Sequence, residues 1–228
     1  MKYYPKIKFG INETFEKRIL YNTSHAQWAL RPELKFLFKD EFKNSRQKIL
    51  SAYVDNYYEV YKKKIKEDLN KAKKNWAGVE KYFYKEVDKI FHKYPWPKGN
   101  YHAHISIWNM FPRFIKSKIF MFPSNPERYK NKKFTLLVIA HEMLHFITYN
   151  YLQNKYKLKP SESGDKDSKF WQFTENLNVL IESGKNWRVF TEGTSKPYLE
   201  CQKLYTRMKR IWETNNDIDN LIKIIFEK

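Results

Sequence analysis

The stretch of residues 134–147 is apolar except for Thr135 and three ionisable side chains, which are His141, Glu142 and His145. On a helix, residues four positions apart lie ~40° apart around the axis and ~6 Å apart along it. The two histidines therefore share one arc, with the glutamate beside them. Burying these groups among apolar neighbours without partners costs on the order of several kcal/mol. A zinc ion bound by both imidazoles would remove that cost, and the glutamate could then deprotonate a zinc-bound water.

The H-E-x-x-H spacing thus predicts a hydrolytic zinc site. The alternative is a pair of core histidines that happen to lie four positions apart, which is disfavoured because buried polar groups are rarely left unpaired. The apolar pattern predicts a helix over residues 134–151, preceded by a loop over residues 123–133. A polar connection that contains Pro160 and Gly164 follows this helix.

A second helix is predicted over residues 169–183, with Asp167 or Ser168 as its N-terminal cap and Gly184 after its end. One face of this helix is an apolar stripe. A different arc, within ~60°, carries polar groups and consists of Trp171, Glu175, Asn178 and Glu182. We predict that this arc faces the metal, with ordinary solvent exposure as the alternative.

A catalytic zinc site needs a third protein ligand, and no histidine follows His145 in the chain. Over residues 105–183 the sequence resembles the zincin metallopeptidases, and among them the gluzincins, whose third ligand is a glutamate on a later helix. The resemblance rests on the letters HEMLH and on the downstream spacing of Trp171, Glu175 and Asn178. Gluzincins often carry an acidic residue one turn after the ligand glutamate, and this chain has Asn178 there.

The resemblance implies hydrolysis of peptide bonds in a peptide or protein substrate, with Zn²⁺ as the cofactor. It also implies roles for four residues: zinc ligation by His141, His145 and Glu175, and general-base catalysis by Glu142. The base takes a proton from the zinc-bound water and later passes it to the leaving amine. Tyr198 or Tyr205 is the predicted hydrogen-bond donor to the oxyanion, since no downstream histidine can serve.

Two glutamates on the second helix compete for the third position on the metal. If the two helices are antiparallel across the connection at residues 154–167, equal distances from the turn put Glu175 level with His145. The same count puts Glu182 within reach of His141, where it could accept a hydrogen bond and orient the imidazole. We therefore predict Glu175 as the ligand and keep Glu182 as the alternative.

The resemblance further implies a mixed α/β scaffold in which an edge strand before the metal helix binds an extended substrate. Residues 101–108 and 116–122 both read as strands and suit that place. In the first of them His102 and His104 point to the same side. They could bind a metal as a pair, but we interpret them as the polar face of a strand.

Helical spacing dominates the N-terminal half, after a weak strand pattern at residues 6–11. Apolar residues recur at three- and four-residue steps over residues 32–69. This pattern predicts one helix that begins at a proline, or two helices broken near Asn44. The same spacing predicts a further helix over residues 75–92. The densest charge run is residues 61–74 (YKKKIKEDLNKAKK). The apolar period continues through it, so we interpret it as a solvated helix face.

The turn-rich letters PWPKGN predict a boundary between a helical N-terminal region, residues 1–99, and a catalytic domain, residues 100–228. Two short helices are predicted at the end of the chain, over residues 197–212 and 218–226. The predicted fold class is α+β and mostly helical. It comprises a zincin-like catalytic domain with a small β-sheet and an HExxH active-site helix, preceded by the helical N-terminal region.

The chain of 228 residues carries a formal net charge of +19, from 44 Lys and Arg against 25 Asp and Glu. Such a surplus suits nucleic acid, an anionic membrane face or an acidic substrate, but lysines spread over solvated helices have the same effect on the total. Two alternatives to a peptidase therefore stay open. One is a basic nucleic-acid-associated protein, including a protease of DNA- or RNA-bound proteins, and the other is a noncatalytic binding module with a zincin fold.

The expected location of the protein is the cytoplasm. The single cysteine, Cys201, excludes an intramolecular disulfide and a cysteine metal cluster, which fits a reducing compartment. The first residues, MKYYPKIKFGINETF, lack the apolar core of a secretory signal, and no apolar run reaches the ~20 residues of a membrane span.

Overall fold

The computed structural model describes residues 2–22, 34, 35, 37, 39–108, 110–124, 133–160, 168–193 and 195–227. Pro32, Gly164 and Asp167, and with them most of the two predicted loops at 123–133 and 154–167, lie outside the described residues. The described chain is mainly helical and contains a small mixed sheet, which confirms the predicted α+β class.

In the described residues the helices are α1 (Glu13–Asn22), α2 (Arg46–Ile90), α3 (Phe134–Lys155), α4 (Lys169–Glu182), α5 (Gln202–Asn215) and α6 (Ile218–Phe226). The strands are β1 (Ile7–Gly10), β2 (Tyr101–Ser106), β3 (Arg113–Phe114) and β4 (Ile119–Pro123). Short 3-10 turns lie at Asp40–Phe42, Lys185–Trp187 and Leu199–Cys201. Among these described helices, none has the length and apolarity needed to cross a membrane.

The chain forms two compact units. The first consists of Met1–Pro5, Ala77–Gly99 and Asn131–Lys228, and the second of Lys6–Trp76 and Asn100–Lys130. Helices α3 to α6 belong to the first unit, whereas the whole sheet belongs to the second. The division into domains at residues 1–99 and 100–228 stays a prediction.

From residue 46 onward the helices predicted over 32–69 and 75–92 are one continuous helix, α2, which begins two residues after Asn44. The described residues just before it form the 3-10 turn Asp40–Phe42, so the alternative with a break near Asn44 is confirmed and a single helix from Pro32 is wrong. The predicted break between residues 69 and 75 is wrong. That interval contains neither glycine nor proline, and buried Ala72 continues the apolar stripe from Ile65 to Trp76. A helix is therefore favoured throughout the interval.

The segment after β1 was too polar for an element to be predicted, and it forms α1. The side chain of Asn12 caps this helix by accepting a hydrogen bond from the backbone N–H of Phe15 at 2.9 Å. The buried carboxylate of Glu16 then joins α1 to the end of β2. It accepts hydrogen bonds from the Ser106 hydroxyl and the Ile107 N–H, both at 2.8 Å, and from the Tyr58 hydroxyl.

The sheet of the second unit has the strand order β1-β2-β4-β3, with β1 and β4 parallel to β2 and β3 antiparallel to β4. The predicted alternation in β2 is confirmed. Tyr101, Ala103 and Ile105 are buried, whereas His102 and His104 lie half-buried on the other face. Because both flanking strands are parallel to β2, no short hairpin sets the register of these pairs.

In the first unit, α6 holds the C-terminal end of α3 through one carboxylate. Asp219 accepts hydrogen bonds from the Lys155 ammonium at 2.7 Å and from the hydroxyls of Tyr151 and Tyr156, both at 2.5 Å. Burial alone would raise the pKa of Asp219. The hydrogen bonds outweigh burial and lower this pKa from 3.8 to about 2.

We expect Asp219→Asn to lower the free energy of unfolding by about 1–2 kcal/mol at pH 7, because the ionised carboxylate is favoured in the folded chain. A lowered folded-state pKa stabilises the protein above the unfolded value of about 3.9. The difference from the parent should shrink as the pH falls from there through about 2. Urea unfolding over this pH range measures it. As a control, Glu213→Gln in the exposed Lys209–Glu213 pair should change stability little.

Candidate metal centre

Helix α3 carries the H-E-x-x-H residues among side chains that are buried on nearly all sides of the helix. His145 is fully buried, Glu142 is 5% exposed, and the His141 side chain is 21% exposed. Their apolar neighbours are at most 1% exposed and include Ile139, Ala140, Met143, Leu144, Phe146 and Ile147. His141 is therefore the most exposed of the three side chains.

Helix α4 supplies the second wall. Ser168 caps it by accepting a hydrogen bond from the backbone N–H of Trp171 at 3.2 Å, and the helix ends one residue before the predicted end at 183. The polar arc is buried, since Glu175 is 3%, Asn178 0% and Glu182 2% exposed. The alternative that solvent covers this arc is wrong.

Two asparagines on α4 fix its position through hydrogen bonds to backbone carbonyls. The Asn178 amide donates to the carbonyl of His141 at 3.0 Å, which joins α4 to α3 at the first histidine. The Asn176 amide donates to the carbonyl of buried Cys201 at 3.1 Å, which joins α4 to the turn before α5. Glu175, which comes directly before Asn176, therefore lies in a part of α4 that is joined both to α3 and to the turn before α5.

The structure brings one atom each of His141, His145 and Glu175 close together. The two Nε2 atoms lie 3.1 Å apart, and the Glu175 carboxylate oxygens lie 3.4 Å from His141 Nε2 and 3.5 Å from His145 Nε2. Ligands at the usual zinc distances of ~2.0–2.1 Å in a tetrahedron are separated by roughly 3.3 Å. The three side chains thus fit a tetrahedral metal ion with one further position.

The second glutamate of the arc contacts the other ring nitrogen of His141. Glu182 Oε1 lies 2.7 Å from His141 Nδ1. A proton on Nδ1 donated to this carboxylate leaves the Nε2 lone pair directed at the three-atom group. Glu182 therefore orients the imidazole, as the antiparallel count of the two helices predicts.

The electrostatics of the centre favour positive charge. Burial by itself lowers the pKa of His141, but the charge of Glu182 and the hydrogen bonds to Glu175 and Glu182 raise it well above its ordinary value. Glu142 adds a further attractive carboxylate. A divalent cation would satisfy the same carboxylates, which is the compensation that a buried acidic site requires.

The two predicted oxyanion donors are placed less specifically. The Tyr198 side chain is 54% exposed, and its ring centroid lies 5.6 Å from that of Trp171, one turn before Glu175 on α4. Tyr205 lies on α5 and is half-buried. The oxyanion role of either tyrosine stays a prediction.

The histidine pair on β2 lies in the second unit and is not part of this group. Its ring centroids are 6.1 Å apart, and burial, followed by the charge of His102, lowers the pKa of His104. Among the described residues neither histidine belongs to a cluster of three or more potential metal ligands. This placement agrees with the polar face of a strand.

A second cluster of potential ligands consists of His92, Asp217 and Asp219. Its histidine is exposed, and the Lys155 ammonium lies 2.7 Å from one Asp219 oxygen and 2.9 Å from the other. That ammonium already supplies the positive charge at the carboxylate, so a metal ion would have to displace it. The group on α3 and α4 is therefore the better metal site.

Sequence reasoning missed one aromatic residue of the site. The ring centroid of Tyr149 lies 6.2 Å from that of His145 and 4.9 Å from that of Phe170 on α4. Its position four residues after His145, on the same arc, was the available signal.

No protein-family model matches the chain, and comparison with curated proteins and with solved structures finds no significant match. The functional argument therefore rests on the side chains of α3 and α4.

Proposed function

We propose that the chain is a zinc-dependent metallopeptidase of the zincin type, gluzincin-like in its ligands. The observation that carries the proposal is the cluster of two imidazoles and one carboxylate. The Nε2 atoms of His141 and His145 lie 3.1 Å apart, and each lies 3.4–3.5 Å from one of the two Glu175 oxygens. Two imidazoles and one carboxylate form a ligand set typical of zinc, whereas calcium and magnesium prefer oxygen ligands alone.

The number of ligands supports a catalytic rather than a structural site. Structural zinc sites have four protein ligands, whereas catalytic sites have three and keep one position for water or substrate. The described part of the chain brings three potential ligands together here, and His141 is 21% exposed at the edge of the group. In this proposal the substrate approaches the centre at His141, the most exposed of the three ligands.

Each residue of the centre has a distinct task in this proposal. A bound zinc ion would supply an acidified water and polarise the peptide carbonyl. Glu142, buried one position after His141, accepts the proton of the attacking water and returns it to the leaving amine. Glu182 holds the His141 ring in orientation, and Asn178 holds the backbone of α3 at the same residue.

We expect one zinc per chain after zinc-replete purification. Chelation should lower the melting temperature by roughly 5–15 °C, because the metal binds the folded chain only. Elemental analysis and thermal unfolding, with and without chelator, measure both quantities. The variant His102→Ala/His104→Ala should keep its zinc, since that pair lies in the other unit. Far less than one equivalent in the parent, or its loss from this control variant, would contradict the assignment.

The peptidase activity itself is tested with a mixture of quenched fluorescent peptides. The zinc form should cleave some of them, lose this activity with a chelator and regain it when zinc is added back. Stoichiometric zinc without any cleavage would instead support a noncatalytic binding module that keeps the metal.

A further inference from the structure

Four aromatic rings form a column in the second unit, along one side of α2. Tyr53, Tyr57 and Tyr61 follow one another at four-residue steps, with ring centroids 6.0 and 4.4 Å apart. Trp108 continues the column beyond Tyr53 at 5.8 Å. The helical period explains why the three tyrosines share an arc, and packing between them makes the arc continuous.

The column runs from the core of the unit to solvent. Trp108 is 2% exposed, Tyr53 and Tyr57 are half-buried, and Tyr61 is 47% exposed. Val60, beside the last ring, is 62% exposed. The row of aromatic rings therefore ends on Tyr61, a ring that is about half exposed and can contact another planar group.

Basic residues surround the helix from that ring onward. Between residues 62 and 74 there are seven lysines and two acidic residues, a surplus of five positive charges. One acidic residue, Asp68, is 8% exposed and accepts a hydrogen bond from Lys64 at 2.9 Å. The other lysines of this segment are all exposed, and they are Lys62, Lys63, Lys66, Lys71, Lys73 and Lys74.

From the sequence alone, a solvated helix face accounts for these lysines, because the buried stripe continues through Ile65 and Ala72. It does not account for the half-exposed ring of Tyr61, which contacts Tyr57 at the start of the lysine run. Exposed aromatic faces next to a positive groove or ridge are the two features with which proteins bind single strands of nucleic acid. Bases stack on the rings, while lysines neutralise the phosphates.

We propose that the surface of α2 from Val60 to Lys74 binds single-stranded nucleic acid, with one base stacked on Tyr61. The fourteen-residue step along the helix is about 20 Å long, which is enough for several nucleotides of a single strand. A duplex hides its base faces within its own stack, so it cannot use the ring in this way. An anionic membrane would need a row of apolar side chains, whereas this surface exposes Tyr61 and Val60 as its large apolar groups.

The test is fluorescence anisotropy of a labelled 20-nucleotide oligo(dT) with the full zinc-loaded chain over a salt series. We expect a dissociation constant in the micromolar range at low salt, with a log–log salt slope of about −2 to −3 for three or four phosphate contacts. Tyr61→Ala should weaken binding about tenfold, whereas Tyr61→Phe, which keeps the ring, should bind like the parent.

A charge-matched pair of variants separates this surface from the net charge of the chain. Lys71→Glu should weaken oligo(dT) binding at least fivefold, since Lys71 lies within ~80° of Tyr61 around the helix and the change lowers the charge of this surface by two. Lys157→Gln/Lys159→Gln removes the same charge from exposed positions of the first unit and should change binding less than twofold.

Four results would overturn the proposal. Two of them concern variants: an equal loss of oligo(dT) affinity in the two lysine variants, and unchanged oligo(dT) affinity in Tyr61→Ala. The other two concern the ligand: a duplex of the same length that binds as tightly as oligo(dT), and binding to phosphatidylcholine/phosphatidylserine vesicles without binding to oligo(dT). The peptidase proposal does not depend on this outcome, because Tyr61 and these lysines belong to the second unit, whereas the proposed zinc ligands belong to the first.

Discussion

Replacing Glu142 by glutamine is expected to lower kcat/KM for peptide hydrolysis about 1,000-fold, within the range of general acid–base contributions, while zinc stays bound. The amide has the size of the carboxylate but cannot accept the proton of the attacking water. His141, His145 and Glu175 are unchanged, so the metal content should remain near one per chain. Steady-state kinetics on a peptide cleaved by the parent, together with elemental analysis of the same preparation, measure both quantities.

A matched control is available in the same unit. Glu86 is also a buried glutamate of a helix, 4% exposed, and its carboxylate accepts hydrogen bonds from Lys89 and from the Asn186 amide. Glu86→Gln should therefore affect stability more than turnover. If Glu142→Gln retained the turnover of the parent, Glu142 would have no place in the mechanism.

The second large effect concerns the metal. Glu175→Ala should weaken zinc binding by more than 1,000-fold, because it removes one of three ligand side chains that have no substitute at that position. Glu182→Ala should weaken it by only about 10- to 100-fold, since this residue acts through the orientation of His141. Competition titrations against a chelator of known affinity measure both changes.

The order of these two losses distinguishes the two glutamates. Glu182 lies 2.7 Å from His141 Nδ1, whereas Glu175 lies 3.4–3.5 Å from the Nε2 atoms of both histidines. Zinc bound as tightly by Glu175→Ala as by the parent, together with a large loss in Glu182→Ala, would reverse the assignment.

Local sequence patterns predict the helices around the centre well. The apolar run of α3, the Ser168 cap of α4 and the apolar spacing of α6 are signals that lie within a few residues of the elements themselves. The proximity of Glu175 to the two histidines also follows from local geometry. In two antiparallel helices joined by one connection, residues at equal distances from the turn lie opposite each other.

Other parts of the fold depend on contacts between distant segments and cannot be predicted in this way. The hydrogen bond of Glu16 with Ser106 joins residues 90 positions apart, and β1 pairs with β2 over a similar separation. No local pattern specifies such partners. The extent of α2 is a different case, since the apolar spacing visible in the sequence continues through residues 61–74, although separate helices are predicted over 32–69 and 75–92.

The roles of the tyrosines show a limit of another kind. The sequence excludes a downstream histidine and so points to Tyr198 or Tyr205. A tyrosine hydroxyl can donate to the substrate only if its side chain is in the right position, and sequence spacing does not determine that position. The same holds for Asn178, whose contact with the His141 carbonyl requires the actual distance between the helices.

The rate at which a thiol reagent labels the buried cysteine would measure transient opening of this region. Cys201 is the only thiol of the chain, is fully buried, and burial raises its pKa to about 11. A thiol reagent can therefore reach it only in molecules that open transiently, and the labelling rate reports the free energy of that opening. The Cys201 carbonyl accepts a hydrogen bond from Asn176, the residue after Glu175. The labelling rate of this thiol therefore also reports transient opening at the helix that carries the Glu175 carboxylate.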